Sequence, residues 1–388
     1  MDIKAFRGLK NVTDPLRAGM DWLVTANNIN ITETGSIIAR DGYAIVPTFD
    51  DAGTCTAVYS TQDFQRLYIV VGLALKTFDG ATIRTLASAA PMYWTEVNKQ
   101  VFFTNGVDSG VILPDNTVLP WGWPDPKTPT VTTAGPAAAN TASGTYQFCS
   151  TYLMPDGRET GASVASSIEL ATGQMVAINP TILAGYQTLI YVAPANSTVF
   201  QLLGPVTGVT VTGIDPDNLG RDLQTQFMDP LPTGASVVQE WQGRIYAAEY
   251  VPSSGQTIVW FTEALGYHLF NLNSGYILVP GQVHMLAPHA DALIIGTDSK
   301  VFAYDIKKMT EIADYGVVSG QHWALDGERL IFWTTRGVCA ALPFTNLTEK
   351  QVSVAPGLQA GGCLVRSGGQ KRYVVSLHQG GHAFNSHV

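Results

Sequence analysis

Charge is scarce in this chain. Only 14% of its 388 residues are Asp, Glu, Lys or Arg, and 31 acidic residues outnumber 22 basic ones, for a formal net charge of −9. Nucleic-acid affinity rests on neutralising phosphates with Lys and Arg, so this balance argues against a general phosphate-binding role. There is no run of about 18 apolar residues, the length a helix needs to cross a bilayer, so membrane insertion is not expected. The opening MDIKAFRGLK has no apolar h-region, which leads us to expect a protein made in a cytoplasm without a secretory leader. The four N-x-[ST] tripeptides, at Asn11, Asn30, Asn196 and Asn346, would matter only in a secretory pathway and read as chance.

Cysteines are few as well. Cys55, Cys149, Cys339 and Cys363 lie far apart with no C-x-x-C pair, which argues against a zinc site or a disulfide framework and leaves isolated buried thiols as the expectation. No G-x-S-x-G elbow, H-E-x-x-H helix or G-x-x-x-x-G-K-[ST] loop occurs, so the common hydrolase, metalloprotease and nucleotide signatures are missing and no cofactor is expected. The run from Asp215 to Gly220 superficially resembles a calcium loop, but Leu219 occupies a ligand position and Gln226 stands where the bidentate Glu should be, and an Asx-rich turn is the simpler account. His284, His289 and His382 read as structural or solvated residues.

What the chain has in quantity is apolar residues (46%), aromatics (10%), Gly (38) and Pro (21), a composition for many short strands joined by turns. Residues 293–305, LIIGTDSKVFAYD, show the basic unit: an apolar run, a small polar turn and a second run ending in Tyr304. A lone hairpin is marginal in water, so repetition is the question. Four-part patterns recur at 56–86, 92–119, 237–270, 283–315 and 321–354, and a shorter one spans 362–385. A further strand, Asp-Gly turn and strand lie at 36–46. The last unit lacks a strand and the N-terminal region has one to spare, so Ile37 or Tyr43 would supply the strand that closes a ring. The expected fold is all-β: a six-bladed β-propeller, five to seven blades being possible, closed by an N-terminal strand.

Between the second and third units the pattern stops at Trp121-Gly122-Trp123-Pro124-Asp125-Pro126, because proline cannot donate to a ladder. A linker to Ser143 and short strands between 144 and 203 follow, ended by Asp229-Pro230-Leu231-Pro232. This suits an inserted β-sandwich of the immunoglobulin or fibronectin-III kind. The expected domains are therefore a docking arm at 1–35, propeller at 36–125, the insert with its linkers at 126–233, and propeller again at 234–388. Trp121 and Trp123 would serve either as a stacking platform or partner contact or, the favoured reading, as a cap on the junction. Asp50-Asp51 and the carboxylates of 156–159 sit in turn-like sequence and read as solvated loops rather than acid–base pairs.

The N-terminal stretch adds a resemblance. Phe6-Arg7-Gly8, Asp14-Pro15, Asn28-Ile29-Asn30-Ile31, Gly35 and Arg40-Asp41-Gly42-Tyr43 resemble the opening of a family of tailed-bacteriophage virion structural proteins, with Ala39 departing where a second basic residue is common. The Tyr/Phe strand at 144–152 followed by Pro155-Asp156-Gly157-Arg158-Glu159-Thr160-Gly161 is similar to sandwich domains of such proteins. In architecture the chain resembles the tail-nozzle proteins of short-tailed phages. That resemblance implies a non-enzymatic virion component, assembled in the host cytoplasm into a homohexamer around a channel that DNA passes without specific binding. Its partners would be the portal and adaptor, other tail proteins and tail fibres, met through Phe6, Leu9, Asp14, Pro15, Arg17, Trp22, Trp121 and Trp123. Two alternatives stand beside it: a tail protein that binds host-surface glycan, and a propeller glycosidase or lyase acting on host polysaccharide.

Overall fold

In the computed structural model, residues 5–32, 34–40, 55–136, 140–367, 370–379 and 383–384 are described. The repeating unit at 293–305 is a hairpin of Leu293–Thr297 and Val301–Tyr304. Its turn is closed by one side chain: Thr297 Oγ1 accepts the Lys300 N–H at 2.9 Å and donates to the Lys300 carbonyl at 3.0 Å. The second sheet strand of two other units also ends in a fully buried threonine. Thr334 Oγ1 donates to the Gly337 carbonyl at 2.8 Å, and Thr104 Oγ1 donates to the Ala235 carbonyl at 2.7 Å. A hydroxyl that satisfies turn groups lets the strand end be buried without orphaned polar atoms.

Six such antiparallel sheets follow one another. The first is Cys55–Ser60, Leu67–Val71, Ala74–Thr77 and Thr82–Thr85; the second is Tyr93–Val97, Gln100–Thr104, Ser109–Ile112 and Val118–Leu119. The third runs Ala235–Trp241, Arg244–Val251, Gln256–Glu263 and Gly266–Phe270, with an additional strand, Tyr276–Pro280, paired to Gln256–Glu263. The fourth is Val283–Pro288, Leu293–Thr297, Val301–Tyr304 and Met309–Ala313; the fifth is Trp323–Asp326, Arg329–Thr334, Gly337–Ala341 and Thr345–Asn346. The sixth has, among the described residues, three strands, Gln359–Ser367, Gln370–His378 and Ala383–Phe384. Among the described residues helical structure is confined to short 3-10 turns such as Pro15–Arg17 and Pro216–Asn218, and no helix is long and apolar enough to cross a membrane. The chain is all-β.

Neighbouring sheets share cores. Tyr68, Val70 and Leu75 pack with Trp94, Val101 and Phe103 between the first and second sheets. Met285, Ile294 and Val301 pack with Leu330, Phe332 and Cys339 between the fourth and fifth, and Ile331 and Trp333 with Val375 and Leu377 between the fifth and sixth. The leading strands point the same way. Thr95 Oγ1 accepts the Glu240 N–H at 2.8 Å, Trp241 Nε1 donates to the His289 carbonyl at 2.8 Å, and Ser319 bridges Gln359 in parallel. At their entry ends the buried Tyr93 hydroxyl accepts the Gly320 N–H at 2.7 Å and donates to the His284 carbonyl at 3.0 Å. One phenol thus ties the second, fourth and fifth units together.

The expected closing strand is corrected in its described part. Ile37–Ala39 pairs antiparallel with Ile29–Ile31, not with the sixth sheet, because these two short β-branched runs lie across a tight turn at Gly35. The other candidate, residues 43–46, lies outside the described residues, as do Asp50-Asp51 and His382. The fifth sheet also ends at Thr345–Asn346 rather than at 350–354.

The chain divides into two compact units, one of Met1–Leu119, Thr233–Val259 and Ile277–Val388, the other of Pro120–Pro232 and Trp260–Tyr276. The second unit thus takes in 260–276, which the sequence reading had given to the propeller. It contains two facing sheets, Ser166–Leu170, Gly144–Leu153, Gln187–Ala193 and Gln201–Val206 in that order, and Thr130–Pro136, Gln174–Asn179 and Thr210–Thr212. Tyr146, Phe148, Ile190 and Val192 of the first meet Val176 and Ile178 of the second in one core. The four-stranded order is that of strands C′, C, F and G in an immunoglobulin-like sandwich, but the smaller sheet is completed by Thr210–Thr212 from the C-terminal side. The stretch read as a linker contains a strand, Thr130–Pro136, since its β-branched Thr130-Val131-Thr132-Thr133 run fits a pleated ladder.

Candidate partner-contact site

The N-terminal arm, residues 5–40, is held together by its own backbone. Gly8–Leu9 pairs in parallel with Trp22–Leu23, the Phe6 N–H donates to the Gly35 carbonyl at 2.8 Å, and Arg7 and Asp21 form an ion pair at 2.6 Å. Trp22 lies against Gly8, where a Cβ would stand 3.3 Å from the ring, and Lys10 Nζ sits 5.7 Å from the indole centroid. Phe6, Leu9 and Trp22 are half-buried and do this internal work. Between the paired segments the chain loops out. Asp14 caps the 3-10 turn Pro15–Arg17 by accepting the Leu16 N–H at 3.0 Å, and Pro15 fixes the first residue of that turn.

The loop presents its apolar residues outward. Leu16 is 95% exposed, Met20 68% and Val12 44%, with Asp14, Pro15 and Arg17 exposed beside them. Ala18 is the one buried apolar side chain among the arm's described residues. Three large apolar side chains are thus held in solvent by one short stretch of the arm.

The root of the loop is tied down by Asn11. Its N–H donates to the Gln351 carbonyl at 2.9 Å, its Nδ2 donates to the Ser353 carbonyl at 3.0 Å, and its Oδ1 accepts the Ser353 N–H at 2.7 Å. A side-chain amide is here paired to a backbone as a strand would be. The receiving segment is itself anchored, because Val354 packs on the cluster around Trp333 and Trp333 Nε1 donates to the Pro356 carbonyl at 3.0 Å.

The tryptophans read as a surface feature are a different matter. Trp121 is fully buried and Trp123 is 8% exposed, which corrects their assignment as partner-interface residues and removes them as a glycan platform. Trp121 Nε1 donates to the Tyr267 carbonyl at 2.9 Å and its ring lies 6.3 Å from that of Phe270, while Trp123 meets His268 edge-on at 5.6 Å. Burial pushes His268 down to about 4, and its Nε2 lies 3.1 Å from the Glu159 carbonyl oxygen.

The 156–159 turn is likewise built into the fold rather than a solvated loop. Arg158 pairs with Asp156 at 2.6 Å and donates to the carbonyls of Pro120 and Trp121 at 2.8 and 3.3 Å. The Glu159 carboxylate, 13% exposed, accepts from Thr151 Oγ1 at 2.7 Å, Tyr191 OH at 2.8 Å and Arg221 at 2.6 Å. Burial first, and then the bond to Glu159, push the Tyr191 phenol up to about 12. With every partner committed to structure, this carboxylate is a clasp for the turn.

The remaining candidates resolve simply. Asp215 caps Pro216–Asn218 and accepts amides from Asn140 and Asn218, an Asx turn. Cys149 and Cys339 are buried, but Cys55 and Cys363 are exposed, a correction to the expectation of four buried thiols, and all four are free. His289 is buried, and so is His322, which the sequence reading did not single out. His322 Nδ1 accepts the Trp333 N–H at 3.3 Å, so the proton sits on Nε2, 2.9 Å from the Val318 carbonyl; burial drives its pKa to about 4. Among the described residues no group of three or more His, Cys, Asp or Glu is placed to hold a metal ion. Asn11, Leu16 and Met20 were also missed; the cue was an apolar residue locked into a Pro-containing turn beside Asp14.

No family model matches the chain, and no curated protein matches it. Among solved structures it is similar to the extracellular domain of a hybrid two-component system of B. thetaiotaomicron, at 12% identity and a TM-score of 0.31 over 80% of this chain and 36% of that one. It is similar also to AztD from Citrobacter koseri (10% identity, TM-score 0.29, 78% and 87% covered). A third is PorZ, a surface component of the type-IX secretion system of Porphyromonas gingivalis (13% identity, TM-score 0.23, 91% and 56% covered). The chain thus spans about a third of the length of the first of these, and likeness at these scores carries no argument about function.

Proposed function

We propose that this chain is a structural subunit of a bacteriophage tail, of the nozzle kind, with no catalytic role. In this reading the six sheets close as a six-bladed propeller. Copies assemble, as a hexamer, into a ring in the virion tail, and the arm docks onto tail neighbours, the portal and adaptor above and fibres beside. The observation that carries it is the arm: a loop pinned at its root by Asn11 that holds Leu16 and Met20 out to solvent. The sequence resemblance of residues 6–43 adds support, and the net charge of −9 suits a channel that DNA traverses without sticking. The glycan-binding reading has lost its tryptophan platform, and no observed group favours the polysaccharide-cleaving one.

The test is sedimentation and native mass spectrometry of the purified full chain, together with an antibody against it on purified virions. A ring of six copies and labelling at the tail are expected. A chain that stays monomeric and is absent from virions sinks the proposal.

A further inference from the structure

The Asn11 contact bridges residues 340 and 342 positions apart through three hydrogen bonds, while Ala18 is the one buried apolar side chain among the arm's described residues. Such a joint is specific in geometry and weak in energy, since each exposed hydrogen bond replaces one that the same groups would make with water. The receiving segment exists on every copy and is preformed, held from behind by Val354 and by the bond from Trp333 to Pro356. In sequence, residues 41–54 link the arm to the first sheet, and a stretch of that length has a contour of at most roughly 50 Å. That reach covers the distance to an adjacent copy of a domain this size.

We propose that Asn11 and residues 351–353 form an exchangeable clasp, in which the arm of one copy of this chain docks on residues 351–353 of the next copy while Leu16 and Met20 are covered by that neighbour. The inference rests on the oligomeric part of the reading above and adds the surface and the occupant. Arm exchange reuses the bonds seen within one chain and lets apolar residues exposed in the single chain be buried, so the assembly gains without new polar contacts being invented. The partner is a second copy because the acceptor is a backbone segment of this chain, matched by the Asn11 amide on both its donor and its acceptor side.

The experiment uses two differently tagged full-length chains, each with Cys55 and Cys363 replaced by Ser. One carries Val12→Cys, beside the clasp, and the other Gln351→Cys, within it, where Gln351 takes part through its backbone carbonyl alone, so that the Asn11 side chain and the backbone bonds stay intact. They are mixed, assembled and treated with a short bismaleimide. Exchange gives a product bearing both tags. A doubly substituted chain that links only within itself, while the mixture yields no two-tag product, overturns the proposal. Leu16→Asp and Asn11→Ala should each raise the concentration needed for assembly at least tenfold with the melting temperature of the single chain unchanged; unaltered assembly in both counts against exchange. The two readings fail separately. Rings that form without two-tag linkage sink the clasp and leave the tail assignment standing, whereas two-tag linkage in a protein absent from virions does the reverse.

Discussion

The N-terminal arm and the tryptophan turn at 120–126 are both short, proline-bearing stretches outside the regular sheets, and they have opposite fates. The turn is sealed: Trp121 is fully buried, its indole N–H is bonded to Tyr267, and Arg158 binds the carbonyls on either side of the Pro120–Trp121 step. The arm is open, with Leu16 95% exposed, and Asn11 ties its root to residues 351–353. The difference teaches that an aromatic next to proline says little about exposure. What decides is whether other segments bring donors, acceptors and apolar surface to it. For Trp121 they come from residues about 40 and 150 positions away.

The comparison breaks if substitutions in the two regions cost the same. Trp121→Ala should destabilise the second unit by about 3–5 kcal/mol, as truncation of a buried large aromatic does, read by urea denaturation. Leu16→Ala in the arm should stay within about 0.5 kcal/mol. Glu159→Gln is next, at about 2–3 kcal/mol, because it weakens three bonds to one carboxylate and leaves the Arg221 charge without its partner. Equal stability of that variant would mean the 156–159 turn is held by Arg158 alone.

Acid sharpens the comparison further. His268 and His322 have folded pKa values depressed to about 4 by burial, below the value near 6.5 of an exposed imidazole. Their neutral forms therefore contribute stability that is complete above about pH 6.5 and is lost as pH falls toward 4, with each costing about 2 kcal/mol at pH 5. Melting temperature should fall between pH 7 and 5, and His268→Gln should flatten that slope even if it lowers stability at pH 7. The arm, which holds no histidine, should show no such dependence in its hydrogen exchange. Asn11→Ala should also have a small effect: global stability should change by less than about 1 kcal/mol. The Ser353 amide, which donates to Asn11 Oδ1, should nevertheless exchange with solvent markedly faster.

Much of the sheet structure could be read from residues alone. Apolar runs broken by Gly-Thr-Asp-Ser or Asp-Gly marked the strands of the six sheets, because turn chemistry is local and the two-residue period of a strand shows directly in the sequence. The sandwich strand Thr130–Pro136 was hidden by its Thr, Ala, Pro and Gly neighbours, which look like a linker until a partner strand is at hand. The candidate site was less legible. Asp14 and Pro15 announced a turn, but Asn11 carried no mark, since its function depends on a segment 342 residues downstream.

By itself, then, the sequence determined an all-β chain of repeated antiparallel units, interrupted by a second β-rich unit, with a formal net charge of −9. Those properties follow from composition, period and turn residues, each a property of a few consecutive positions. Tertiary structure alone decided that Trp121 and Trp123 go inside and that Glu159 is a clasp. It also decided that Ile37–Ala39 pairs with Ile29–Ile31 and that Leu16 and Met20 remain in water. Burial is a property of what surrounds a residue, and for these residues the surroundings are supplied, or withheld, by the packing of the folded chain.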